Sequence, residues 1–264
     1  DLEAIRSQRN SMRLAIWLMA LFFALVNAHG QVRVVKRMDA FNAIDHRTGF
    51  NLVLTDRGIP GTVIIEGDKD AVGLITASVK DGTLHLAMEP AKNWLPRVPF
   101  FNARLEVRHK LRITAACRGL DTIRTQGSGS LTADGFRFRD LQIESVGGGS
   151  LRFQRCRFYS LETLLEGKGS IAFDRCEAVD TRLELEGEGV IYAHSLRTKN
   201  LDARVFGKGK ITGYPRETLK AKVTGNGSIL YRGNPSTLEK ETAGGGKIDK
   251  YLEVSAGSES GKSQ

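Results

Sequence analysis

Residues 147–171 read GGGSLRFQRCRFYSLETLLEGKGSI, and the same frame recurs before and after them. Paired glycines stand at Gly127/Gly129, Gly147/Gly149, Gly167/Gly169, Gly187/Gly189, Gly207/Gly209, Gly225/Gly227 and Gly244/Gly246, at successive spacings of 20, 20, 20, 20, 18 and 19 residues. A phosphate-binding glycine loop occurs once, between a strand and a helix, so seven regularly spaced pairs define a repeat architecture instead.

Four residues after each first glycine comes Leu131, Leu151, Ile171, Ile191, Ile211, Ile229 or Ile248. Six residues before it stand Leu141, Leu161, Thr181, Leu201 and Leu219, and two before it Leu165, Leu185, Val205 and Val223. Apolar residues two apart make a strand, and a fixed return stacks equivalent strands at about 4.8 Å per coil. The fold class that follows is all-β, a right-handed parallel β-helix, its hand set by the rule for parallel crossovers. The glycines serve as corners, where a tight turn calls for positive φ at both members of each pair. Between them lie Ser128, Gly148, Lys168, Glu188, Lys208, Asn226 and Gly245, so stacking would set Lys168, Glu188 and Lys208 in a column of alternating charge.

Outside the repeat the chain divides differently. Residues 12–28 combine Met12-Arg13, the apolar run Leu14 to Val26 and a small-x-small exit at Val26-Asn27-Ala28, which is the pattern of a secretory signal cut after Ala28; residues 1–11 form an N-terminal extension. An uncleaved anchor is the alternative, although the run is shorter than the roughly 20 apolar residues of a comfortable span. Residues 32–103 form a β region without a 20-residue period, with turns at Pro60-Gly61 and Asp81-Gly82 and a proline-rich loop at 90–99. The regular solenoid takes 104–253, and 254–264 is a Ser/Gly/Lys tail of disordered composition.

The formal charge is +9, and without residues 1–28 it is +8, from 36 basic and 28 acidic side chains. In an exported protein this favours an anionic polysaccharide or another envelope component as partner over nucleic acid. The arginines show where such a partner would sit. Eight and ten residues after the first glycines come Arg155 and Arg175, and Arg137, Arg157, Glu177 and Arg197. They flank an inward column of Phe136, Cys156, Cys176 and Leu196, so alternation turns them outward as a basic ridge. The other reading of the ridge is a solvated ladder partly neutralised by acidic neighbours. Cys156 and Cys176, one repeat apart, fall within disulfide range if stacked, or sit as two buried thiols, with Cys117 free in either case. The five histidines share no metal spacing, no serine has a His or Asp partner in register, and no cofactor motif is present, so neither nucleophilic nor metal catalysis is indicated.

The string VTGNGSILYRGNP from Val223, the AGGGKI that follows it, the opening RMDAFNAI from Arg37 and GSGS at Gly127 resemble the family called putative auto-transporter adhesin, head GIN domain. The resemblance covers residues 33–250 and implies a three-sided right-handed β-helix exported to the bacterial envelope, with no catalytic residues to carry over. The expected function is a non-enzymatic exported adhesin, in the periplasm, at the outer membrane surface or outside the cell, that binds a polymer or protein. A polysaccharide lyase or hydrolase on the same scaffold and a structural protein assembling through its coil ends are the alternatives.

Overall fold

The computed structural model describes residues 31–88 and 111–251. The leader at 1–28, the proline-rich stretch 90–99, the boundary near 104 and the tail 254–264 lie outside the described residues.

The repeat forms a parallel β-solenoid. Its coils are built from β8 (Thr122–Gly127), β9 (Ser130–Asp134), β10 (Arg137–Gly147), β11 (Ser150–Gln154), β12 (Arg157–Gly167), β13 (Ser170–Asp174), β14 (Cys176–Gly187), β15 (Val190–Gly207), β16 (Lys210–Gly225), β17 (Ser228–Tyr231), β18 (Thr237–Ala243) and β19 (Lys247–Lys250). Equivalent strands pair in register, as Leu141 with Leu161 and Leu161 with Thr181. In the coil that starts at Gly147 the buried residues are Leu151 and Phe153, then Cys156 and Phe158, then Leu161, Thr163 and Leu165. Alternation breaks between these groups, and each break turns the chain onto a new face, so the coil has three sides. A buried Leu or Phe stabilises by about 1.5–3 kcal/mol, and every rung supplies several.

The two glycines of a corner do different things, and the expectation of positive φ at both is corrected for the second. The first members, Gly127, Gly147, Gly167, Gly187, Gly207 and Gly225, close their strands with φ between 99° and 119° and use left-handed freedom. The second members, Gly129, Gly149, Gly169, Gly189, Gly209 and Gly227, are absent from the positive-φ residues, and all six are buried. What they need is room. A Cβ at Gly169 would stand 2.7 Å from the carbonyl oxygen of Gly149 in the coil beneath, one at Gly189 2.7 Å from that of Gly169, one at Gly209 2.8 Å from that of Gly189 and one at Gly227 2.7 Å from that of Gly209. At Gly209 and Gly227 the core crowds the same spot, with Leu185 Cδ2 at 2.4 Å and Val205 Cγ1 at 2.5 Å. Close approach of backbone and core, and not a turn angle, therefore excludes a side chain at the second glycine. The charged column forms beside them, with Lys168 Nζ 3.1 Å from Glu188 Oε2 and Lys208 adding to the field that lowers the Glu188 pKa.

The N-terminal region also enters the solenoid. β1 (Gln31–Arg37), β2 (Ala43–Arg47), β3 (Asn51–Thr55), β4 (Thr62–Asp68), the short α1 (Lys69–Gly73), β5 (Ile75–Lys80), β6 (Thr83–Met88) and β7 (Arg112–Ala116) follow in order. β2 and β3 make two sides of one coil, stacked parallel between β6 and β7 on one side and β8 and β9 on the other. Its corner has no Gly-x-Gly. Instead His46 is buried, with Nε2 3.2 Å from the Phe50 carbonyl oxygen and Nδ1 3.4 Å from Thr48 Oγ1, and it lies directly under Gly129. An imidazole brace stands at this corner in place of a glycine pair, and because the chain leaves the stack for the antiparallel β4 and β5 after this one layer, no 20-residue period shows in this stretch.

The two ends of the solenoid close in different ways. At the N-terminal end β4 runs antiparallel to β7, β1 antiparallel to β4, and β5 antiparallel to β6 through a two-residue Asp81-Gly82 turn with φ of 50° and 70°. At the other end Lys240 takes the inward column of Ala221, its Nζ 4.8 Å from the Tyr231 ring centroid and 3.1 Å from the Ile248 carbonyl oxygen. A charge pointing into the last rung opposes stacking of a further coil.

Among the described residues the core contains one orphaned hydroxyl. Thr163 Oγ1, between Ile143 and Leu183, is buried with no hydrogen-bond partner among the described residues. Thr163→Val should raise stability by about 1 kcal/mol, read as a higher urea midpoint with an unchanged slope. Burial pulls the His46 pKa below 6.5, only partly opposed by Phe50 and Asp45, so the folded state prefers neutral imidazole. Stability should be full above pH 6.5 and fall as pH drops below it, and His46→Gln should flatten that decline in thermal melts between about pH 7.5 and 5.

Candidate functional site: a basic face with two hollows

The three faces differ in what they show to solvent. The first, on β9, β11 and β13, is small and polar, with Ser130, Ser150 and Ser170 in one column. The third, on the later parts of β10, β12, β14 and β15, is rich in acids, and these are largely paired: Arg124 with Glu144 at 3.1 Å, Arg182 with Glu162 and Glu184 at 3.8 and 3.4 Å, Arg204 with Asp202 at 2.8 Å.

The second face is narrow and basic. Arg137, Arg157, Glu177, Arg197 and Tyr214 stack in register along it. The five arginines expected from the sequence, Arg137, Arg155, Arg157, Arg175 and Arg197, all lie there and all are exposed. Behind them the core is aromatic and stiff. Phe136 stacks on Phe138 and Phe138 on Phe158, each pair with ring centroids 5.3 Å apart, while Phe153 meets Phe138 and Phe158 edge-on. Inward rings with fixed packing hold the alternate arginines outward in a fixed order.

Arg155 and Arg175 occupy the corner where Gly135 stands one coil earlier, and both have positive φ, 50° and 52° against 76° for the glycine. A non-glycine residue in this region costs on the order of 1–3 kcal/mol. Arg155 recovers part of this through an ion pair with Asp134 and a 2.9 Å hydrogen bond from its backbone N–H to the Asp174 carbonyl oxygen. Arg157 is 3.4 Å from Glu177. Arg137, Arg175, Arg197 and Arg216 have no carboxylate partner among the described residues.

Sequence reasoning missed part of this face. Arg139, whose side chain is 91% exposed, Tyr159 at 60%, Lys199 and Arg216 also belong to it. Arg139 and Tyr159 lie two residues beyond Arg137 and Arg157 and continue the same alternation, so the signal was present. Arg216 was hidden by the 18-residue repeat, which breaks the column count.

Two adjoining hollows sit where that short repeat stacks. One, of about 620 Å³, is lined by Arg157, Glu177, Arg197, Lys199, Arg216 and Glu217 among others; the second, of about 430 Å³, by Arg175, Cys176, Glu177, His194, Arg197 and Arg232 among others. The corner glycines line neither of them.

Cys156 and Cys176 are both free thiols, as is Cys117, so the disulfide reading gives way to the stacked-thiol one. Parallel stacking points both side chains the same way, and the Cys156 backbone N–H donates to Cys176 Sγ at 3.4 Å. The hydrogen bond with Cys156 and then burial push the Cys176 thiol pKa up; burial and Asp56 push that of Cys117 up to about 12. Among the described residues no group of three or more His, Cys, Asp or Glu is placed to hold a metal, and no helix is long and apolar enough to cross a membrane.

A stacked parallel coil with one arginine-rich side defines the class as a β-solenoid that presents a charged face. Within it, the chain belongs to the family described as "Putative auto-transporter adhesin, head GIN domain", which matches residues 40–235. Adhesin-like membership goes with an exported or surface protein. The fold is similar to that of a putative adhesin from Bacteroides fragilis NCTC 9343, at 27% identity and a TM-score of 0.71, over 84% of this chain and 97% of that one. It is also similar to a putative lipid binding protein from Parabacteroides distasonis ATCC 8503, at 18% identity and a TM-score of 0.65, over 86% and 98%, and to a putative adhesin from Parabacteroides merdae ATCC 43184, at 16% and 0.62, over 84% and 96%. At those lower identities the likeness is one of fold. Comparison with curated proteins finds no significant match.

Proposed function

We propose that this protein is an exported, non-enzymatic adhesin that holds an anionic polysaccharide along its second face. The observation that carries the reading is the set of unpartnered guanidinium groups of Arg137, Arg175, Arg197 and Arg216 on one narrow strip. Their spacing supports it. Register places one outward position per coil, at about 4.8 Å, so a polymer lying along the axis meets Arg137, Arg157 and Arg197 in one column, with Arg175 beside the Glu177 that interrupts it. Guanidinium forks match carboxylate, sulfate and phosphate groups in two-point fashion, which lysine cannot do. Tyr159 adds an exposed ring beside the arginines on which a sugar can stack. The surface pairs of the strip, Arg157 with Glu177 and Lys199 with Glu217, are exposed and weak enough for a ligand to replace.

The strained corners supply a further argument. Glycine at residues 155 and 175 would relieve the backbone, yet arginine is present at both. Replacing Arg155 and Arg175 together by glycine should leave the thermal midpoint unchanged or raised while retention on an immobilised anionic polysaccharide falls and its salt dependence becomes shallower by about two phosphate-equivalent contacts. Unchanged retention in a folded double variant would contradict the assignment of the second face.

A further inference from the structure

The short repeat has a structural consequence on this face. From Gly187 to Gly207 the spacing is 20 residues, and from Gly207 to Gly225 it is 18. β15 and β16 keep register at Tyr192/Thr212, then jump to Arg197/Tyr214 and Thr198/Pro215, and jump again before Asn200/Thr218. Four residues of β15, Ala193 to Leu196, therefore face the single Gly213 of β16. Further along, the single Lys199 faces two residues, Arg216 and Glu217. The first mismatch removes the corner that would cover His194 and Ser195 and opens the smaller hollow beside them. The second pushes Arg216 and Glu217 out as the rim of the larger one.

Around the smaller hollow stand Arg175, Arg197 and Arg232, with the Ser195 hydroxyl, His194 and Tyr214. The Arg232 guanidinium is held between two rings, 6.0 Å from the Tyr214 centroid and 5.9 Å from that of Tyr251. Glu177 is the one carboxylate in the lining, and it is already engaged with Arg157. Arg175 and Arg197, on successive coils and without a carboxylate partner among the described residues, line this hollow together with the hydroxyls of Ser195 and Tyr214 and the His194 ring, a richer set of donors than a planar carboxylate can use. They suit a tetrahedral oxyanion, which offers three or more acceptor oxygens and carries close to two charges when it is a phosphate monoester.

We propose that the hollow made by the 18-residue coil is a subsite for a tetrahedral oxyanion, a phosphate monoester carried on the polymer that lies along the second face. The inference rests on the polysaccharide-binding reading above and gives it a chemical preference: the straight part of the strip attracts negative charge of any kind, and the hollow selects for phosphate. Arg197, shared by both hollows, joins the two parts.

The test is a titration of the full chain with a phosphorylated polysaccharide and with a polyuronate of matched charge density, each with and without inorganic phosphate as competitor. The wild type should bind the phosphorylated polymer about tenfold more tightly, a difference of roughly 1.4 kcal/mol. Arg197→Ser should reduce that ratio to near one, whereas Arg137→Ser, on the strip and outside both hollows, should weaken binding of the two polymers alike and keep the ratio. Glu177→Gln removes the opposing charge and should tighten the phosphorylated polymer further. Inorganic phosphate should lower the ratio in the wild type and leave the Arg197 variant unmoved; full displacement by phosphate with no gain from the polymer would assign the hollow to the free ion and overturn the polymer-borne monoester. Equal binding of the two polymers overturns the subsite and leaves the wider reading standing. Failure of both to bind overturns the two together.

Discussion

Everything in this molecule depends on how closely the backbone of one corner approaches the next. Lys168 N–H donates to the Gly147 carbonyl oxygen at 3.0 Å, Glu188 N–H to Gly167 at 2.9 Å and Lys208 N–H to Gly187 at 2.9 Å. A Cβ on the glycines of those corners would stand 2.6–2.8 Å from a carbonyl of the coil beneath. Three consequences share this one cause. The corners cannot slip by a residue without placing a side chain in that gap, so register is fixed there. Fixed register stacks like on like, which joins Leu131, Leu151, Ile171 and their successors into one dry column. The same register carries over to the solvent side, where it lines up the arginines.

How much of this could be read from the residues depends on where geometry demanded a rare residue type. Gly-x-Gly betrays a corner because almost nothing else fits, so the coils from Gly127 onward were legible along with the inward cysteines and outward arginines. Why the second glycine is needed was not legible, because Gly189, Gly209 and Gly227 answer to a carbonyl and an aliphatic side chain that only stacking brings near. The coil made by β2 and β3 was hidden too. His46 does there by side-chain hydrogen bonding what glycine does elsewhere, and a histidine has many other reasons to be present. A weaker trace existed: Ile44 and Leu52 are eight residues apart, as are Ile123 and Leu131, and the two pairs do stack. The antiparallel strands that close the N-terminal end left no such trace, because strand direction is a matter of long-range pairing and not of local pattern. The arginine strip was legible only while the spacing stayed at 20 residues, and the hollows lie where it changes.

That coincidence connects fold to function. The two residues missing between Gly207 and Gly225 change the register beside the existing charge, and it is there that the second face carries its two hollows. The stiff phenylalanine core under Arg137 and Arg157 fixes the backbone of the strip, so in the proposed binding the ordering cost would fall on the arginine side chains. Exposed charges of this kind act strongly on the rate of encounter and weaken as salt rises.

Corner contact, and not glycine content, sets the register of the coils. The Gly147-Gly148-Gly149 corner separates the two: a Cβ at Gly148 meets nothing within 4 Å, one at Gly149 would lie 2.6 Å from the Gly129 carbonyl oxygen, and Gly147 combines φ of 116° with a contact at 2.7 Å to Gly127. Urea unfolding of the three single alanine variants measures this most directly. If contact governs, Gly148→Ala leaves the midpoint within experimental scatter, while Gly147→Ala and Gly149→Ala each lose stability on the order of 1–3 kcal/mol or fail to fold. Equal effects at all three positions would contradict it.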